Sequence, residues 1–139
     1  MRWAIIDTSV YIDYWERGLH DAALADVRKT FIIRQSSVVL SELRRGARTK
    51  AAQHLLQTLF GLARIQWAPT EADWWRAGLL IRELGDARHW DPHKRMAFQN
   101  DVLIALTARA IGATLYTSDA GDFQAIREVE RFALEIVTP

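Results

Sequence analysis

The stretch Asn100 to Phe123, NDVLIALTARAIGATLYTSDAGDF, admits few folds, because it reads as a helix, a glycine stop, a buried strand and an acidic turn in direct succession. Asp101 stands where the helix begins, with Asn100 expected as its N-cap, and Asp119 and Asp122 follow the strand Ala113 to Thr117. Asp101, Ala105, Ala108 and Gly112 recur at i, i+4, i+7 and i+11 and share one helical face. A face of Ala and Gly lets a helix lie close against a sheet. It would also carry Asp101 to the carboxyl ends of the strands, the edge at which open α/β sheets bind ligands. Taken singly, Asp101 reads first as a helix cap and Asp119 as the start of a turn, so any function depends on what the rest of the chain adds.

Arg2 to Asp7 places four apolar residues in a row, Trp3 to Ile6, the pattern of a strand covered on both faces, and ends on a carboxylate. Thr8 or Ser9 is expected to cap a helix from Val10 to about Arg17 that Gly18 stops, and a short helix follows over Asp21 to Lys29. Phe31 to Ile33 is a brief strand, and Ser36 or Ser37 caps a helix that breaks near Gly46. Val39, Glu42, Leu43 and Gly46 line one side of that helix, which puts Glu42 on or beside an inward face. An unpaired carboxylate there would cost on the order of several kcal/mol. Ala51 to Leu62 is amphipathic, Arg64 to Trp67 reads as a strand, and Pro69 and Thr70 open a helix to about Leu84. Its apolar residues Trp74, Trp75, Leu79 and Leu80 are expected to form an unpaired face suited to a second copy or a partner protein. Gly85 to Gln99 reads as a loop, in which Pro92 separates His89 from His93 and argues against a zinc site. Phe123 to Glu130 is a short helix and Phe132 to Val137 a final strand. This alternation predicts an α/β protein, a three-layer α/β/α sandwich with a mostly parallel sheet.

With 139 residues the chain is expected to be a single domain over positions 1–139 with a real core. The net charge of +1 gives no global argument for nucleic acid, so only local clusters of base can supply one. The absence of cysteine excludes a disulfide scaffold, a thiolate metal site and a cysteine nucleophile. Asp7 and Asp13 interrupt the N-terminal apolar residues, and no stretch approaches the roughly 18 apolar residues of a membrane span, so no membrane partner and a cytoplasmic location are expected. Neither a GxxxxGK[ST] phosphate loop nor a GxSxG elbow is present.

Asp7 and Asp119 each follow a strand, and Asp101 and Glu42 lie on helix faces that pack inward, so four acids can meet at one sheet edge. Carboxylates brought that close repel and raise one another's pKa unless a cation compensates. Oxygen-only ligands select a hard ion, Mg2+ or Mn2+, and one or two such ions can activate water and stabilise the charge on a cleaved phosphodiester.

Ile5-Ile6-Asp7-Thr8-Ser9, Ser41-Glu42-Leu43, Asn100 to Ala105 and Thr117-Ser118-Asp119-Ala120-Gly121-Asp122-Phe123 together resemble, in order and spacing, a PIN domain. Within that family the chain resembles the VapC toxins of toxin-antitoxin pairs. The resemblance implies a sheet of about five strands in the order 3-2-1-4-5, a metal-dependent endoribonuclease, a homodimer and inhibition by a VapB-like antitoxin. It also implies Asp7, Glu42, Asp101 and Asp119 as catalytic metal ligands, with Asp122, Thr8, Ser9 and Thr117 supporting them. Arg44, Arg45 and Arg48 after Glu42, and Arg88, Lys94 and Arg95 before Asp101, are the bases placed to hold RNA phosphates. A module that binds RNA or protein without chemistry is the alternative, and it predicts binding with no turnover under any divalent ion.

Overall fold

A computed structural model describes residues 2–63 and 65–138. Strands β1 (Trp3–Ile6), β2 (Ile32–Ile33), β5 (Thr114–Thr117) and β6 (Ala133–Ile136) form a parallel sheet in the order β2-β1-β5-β6. A second parallel pair joins β3 (Gln35–Ser36) to β4 (Gln66–Trp67). Arg34 separates β2 from β3: its N–H still donates to Ala4 O at 2.9 Å, after which the chain pairs with β4 instead. Taken as one strand broken at Arg34, β2 and β3 give the five-strand order that the sequence resemblance implies. Arg64, expected at the start of β4, lies outside the described residues.

Ala4, Ile5 and Ile6 are all buried although successive strand residues point to opposite faces, so both faces of β1 are covered and the architecture is layered α/β/α. Around the sheet lie α1 (Thr8–Arg17), α2 (Asp21–Thr30), α3 (Ser37–Gly46), α4 (Lys50–Leu62), α5 (Glu71–Arg88), α6 (Pro92–Ala97), α7 (Gln99–Ile111) and α8 (Ala120–Arg127). In α7 every residue from Val102 to Ala108 is buried, because the helix is enclosed by the sheet on one side and α5 on the other. Gly18 and Gly112 end α1 and α7 with φ of 66° and 68°, the left-handed turn that glycine adopts without strain.

Four local expectations are corrected. Gly85 to Gln99 is largely helical: α5 runs on to Arg88, and Asp91 caps α6 by accepting from Lys94 N at 2.8 Å with Pro92 in its first turn. Asn100 is not the N-cap of α7, since the chain enters α7 directly from α6 through Phe98 in a helical conformation and needs no side-chain cap. Neither Thr8 nor Ser9 caps α1; Asp7 holds that position, and all three side chains are engaged elsewhere. Leu80 is not part of an open apolar face but is buried beneath α5, whereas Trp74 and Trp75 stay outside. Among the described residues no helix is long and apolar enough to cross a membrane.

Candidate active site

Parallel β1 and β5 end side by side, and the acids gather there. Asp7 follows β1 with its N–H still donating to Tyr116 O at 2.8 Å, so the ladder fixes its backbone, and the residue is only 4% exposed. Its Oδ2 accepts from Ser9 Oγ at 2.7 Å and from Thr117 Oγ1 at 2.9 Å, one hydroxyl from α1 and one from β5. Glu42, half-buried on α3, accepts from Thr8 Oγ1 at 2.8 Å, which answers the anomaly of an acid near an inward face. Asp101 projects from the first turn of α7, Asp119 occupies the N-cap position of α8 and Asp122 stands in its first turn.

One carboxylate oxygen each from Asp101, Asp119 and Asp122 lies within 4.8 Å of the others. Asp7 and Glu42 stand outside this trio but near enough for their charges to be felt at Asp101. Burial first, then the charge of Asp7, then the hydrogen bond and charge of Asp122 and the charge of Glu42, push Asp101 up to about 9. Burial also raises Asp7, with Glu42 adding to the effect and the Ser9 and Thr117 hydroxyls opposing it. Asp119 is raised by loss of water around its carboxyl group and by the charge of Asp122, against the pull of Lys94. These acids are short of positive charge. The partner nearest to hand is Lys94, whose Nζ sits 3.2 Å from Asp122 Oδ1. An all-oxygen set of mutually repelling carboxylates, with neither thiolate nor imidazole in it, is the donor chemistry that suits a hard divalent cation.

The sequence reading omitted a second layer behind these acids. Ser118 N donates to Ser9 Oγ at 3.1 Å, and Ser118 Oγ donates to Asp13 Oδ2 at 2.9 Å. Asp13 also meets buried His20 Nε2 at 3.1 Å, and the two contacts hold its carboxyl below the usual carboxylate range. Ser118 thereby ties the turn carrying Asp119 to α1. The clue available was its place between Thr117 and Asp119.

The basic residues divide. Arg44, Arg45 and Arg48 are exposed and make no ion pair among the described residues. Arg44 also borders a cavity of about 710 Å³ between α3 and α4 with Leu40, Leu56, Phe60 and Gln66, which none of the acids lines. Arg88 instead pairs with Glu128 at 2.7 Å, and Arg95 with Asp86 at 2.9 Å while donating to Trp90 O at 3.0 Å.

Comparison with curated proteins gives no match. Among solved structures the chain is similar to a chain of VapBC2 from Rickettsia felis bound to a DNA fragment from their promoter, at 24% identity and a TM-score of 0.69, over 98% of this chain and 99% of that one. It is similar to a chain of VapBC-1 from nontypeable Haemophilus influenzae at 18% identity and a TM-score of 0.71, over 96% and 97% of the two chains. DNA-bound VapBC from Salmonella typhimurium gives 20% identity and a TM-score of 0.67, over 98% of each chain. At these identities the likeness is one of fold. The model of the PIN domain matches residues 4–129, a span that takes in Asp7, Glu42, Asp101, Asp119 and Asp122, and the chain therefore belongs to the PIN domain family.

Proposed function

We propose that this chain is a single-domain, Mg2+- or Mn2+-dependent endoribonuclease, the toxin of a toxin-antitoxin pair, which acts in the cytoplasm as a homodimer restrained by a VapB-like antitoxin. The observation that carries the reading is the meeting of Asp101, Asp119 and Asp122 within 4.8 Å, with Asp7 and Glu42 close enough to disturb Asp101. Family membership supports the nuclease, and the likeness to VapBC structures supports the antitoxin.

In this reading Asp7, Asp101, Asp119 and Glu42 hold the cation. Asp122, which the sequence reading placed in support, joins them on the strength of its position in the trio. A bound divalent ion supplies an activated water and positive charge at the phosphodiester. The chain's own groups do the positioning. Ser9 and Thr117 hold Asp7 in one orientation, Thr8 does the same for Glu42, and Lys94 offsets part of the charge at Asp122. Arg44, Arg45 and Arg48, which make no ion pair among the described residues, are the bases for RNA phosphates. Arg88 and Arg95 would first have to leave Glu128 and Asp86, which makes them weaker contributors.

The test is cleavage of a mixed RNA substrate by the purified chain with Mg2+ or Mn2+, by Asp7→Asn and Asp101→Asn, and with EDTA. Loss of cleavage in both variants and in EDTA, with circular dichroism unchanged, is the expected outcome. Cleavage that survives either substitution or the chelator would falsify the metal nuclease; RNA binding with no turnover under any divalent ion would leave only a binding module.

A further inference from the structure

We propose that Lys94 is a resident cation of the acidic site, its ammonium standing in for a second metal ion, so that the chain takes up a single divalent ion. The inference rests on the metal-dependent reading above, and it fixes how many ions that site accepts.

Lys94 differs from the other bases near the rim. Its Nζ sits 3.2 Å from Asp122 Oδ1, and among the described residues no other ion pair reaches Asp7, Glu42, Asp101, Asp119 or Asp122. At Asp119, where loss of water and then the charge of Asp122 push the carboxyl group up, Lys94 pulls it back. An ion pair between partly exposed side chains is ordinarily a weak contact. This one has further support. The same Nζ lies 5.2 Å from the ring centre of Trp90 and 5.2 Å from that of Phe98, and the two rings pack against each other at 4.6 Å. Aromatic faces attract an ammonium without neutralising it, so they hold the charge in place and leave it to act on the acids.

The support is itself fixed. Phe98 is buried, and Trp90 is half-buried against the core. The backbone of Lys94 is tied within α6, its N–H donating to Asp91 Oδ1 at 2.8 Å and its carbonyl accepting from Phe98 N at 3.0 Å. The next residue, Arg95, is engaged instead by Asp86 and by the Trp90 carbonyl, which braces α6 against α5. To hold an RNA phosphate, Lys94 would have to leave both Asp122 and the two rings. That arrangement favours charge compensation over substrate contact.

The consequence for metal binding is electrostatic. Clustered carboxylates attract cations until the next one is repelled more than it is attracted. Lys94 already meets part of that demand at Asp122. A first divalent ion gains from several acids at once and tolerates the nearby ammonium; a second, with less negative charge left to meet it, does not. Sites of this donor chemistry can otherwise take two ions.

Mn2+ titration of the full chain without RNA, with free Mn2+ read by electron paramagnetic resonance, counts the ions, and circular dichroism melts confirm that each variant folds. Wild type should bind one ion per chain. Lys94→Met, which keeps an apolar stem against the rings and loses the charge, should bind two, and Lys94→Arg, which keeps the charge, should stay at one. Lys94→Gln replaces the methionine variant if that one does not fold. Two ions in wild type, one in the neutral variant or two in Lys94→Arg would overturn this role while leaving a metal site. One ion in the neutral variant together with weakened RNA binding would overturn it in favour of a substrate contact. A wild type that takes up no Mn2+ would sink the metal-dependent reading itself, and this inference with it.

Discussion

Asp101 shows how burial and neighbouring charge act on a single carboxyl group. It sits just before the buried run Val102 to Ala108 of α7, faces Asp7, Asp122 and Glu42, and is pushed up to about 9 by burial and by their charges. Its ordinary value is 3.8, so in the metal-free chain the unfolded state gives up this proton as pH rises from about 4 while the native state keeps it toward about 9. The raised folded value therefore makes stability fall as pH rises through that window. Urea unfolding of the metal-free protein should show wild type losing stability between about pH 5 and about pH 8 relative to Asp101→Asn, and the substitution should raise the melting temperature near neutral pH. A variant that melts several degrees lower, with the same pH slope as wild type, would contradict crowded acids. Asp7, Asp101 and Asp119 were legible in the sequence because each adjoins the end of a strand or the start of a helix. Ser118 and Asp13 were not, because their hydrogen bond spans 105 positions of chain and leaves no local pattern.

At the scale of elements, local chemistry decides most boundaries. Thr70 and Asp73 form a reciprocal cap at the start of α5, with Asp73 N donating to Thr70 Oγ1 at 3.2 Å and Thr70 N to Asp73 Oδ2 at 3.0 Å. Thr70→Ala should cost about 1 kcal/mol of unfolding free energy in urea titration, with catalytic turnover unchanged. The opening of α5 was readable from Pro69 and Thr70, but its end was not, because Gly85 lies inside the helix rather than stopping it. The guanidinium of Arg95 occupies the space beside Gly85 where a side chain would stand, at 2.7 Å from a built Cβ. A contact from α6 thus accounts for a glycine that the sequence presents as a breaker. The strand split at Arg34 was hidden for a similar reason. Phe31 to Ile33 carries a β pattern, whereas Gln35 and Ser36 join a ladder only because β4 lies alongside them.

For the molecule as a whole, the layered α/β fold brings acids from β1, α3, α7 and α8 to one rim and leaves them mutually destabilising. A divalent ion that binds the native state should therefore stabilise it markedly: Mg2+ or Mn2+ at a hundred times its dissociation constant should add about 2.7 kcal/mol to unfolding, read as a rise in melting temperature. That rise should shrink in Asp101→Asn; an equal rise in wild type and variant would place the ion elsewhere. The sequence by itself determined the order of strands and helices apart from α6 and the break between β2 and β3, the acids at their ends and the all-oxygen donor chemistry, since periodicity, caps and glycine stops act over a few residues. Only the tertiary structure decided that Asp122, rather than Glu42, joins Asp101 and Asp119 in the tightest group, and that Arg88 and Arg95 are already paired while Arg44, Arg45 and Arg48 make no ion pair among the described residues. Those outcomes depend on how helices far apart in the chain cross the same sheet edge, and distances between such groups are set by packing rather than by neighbours in sequence.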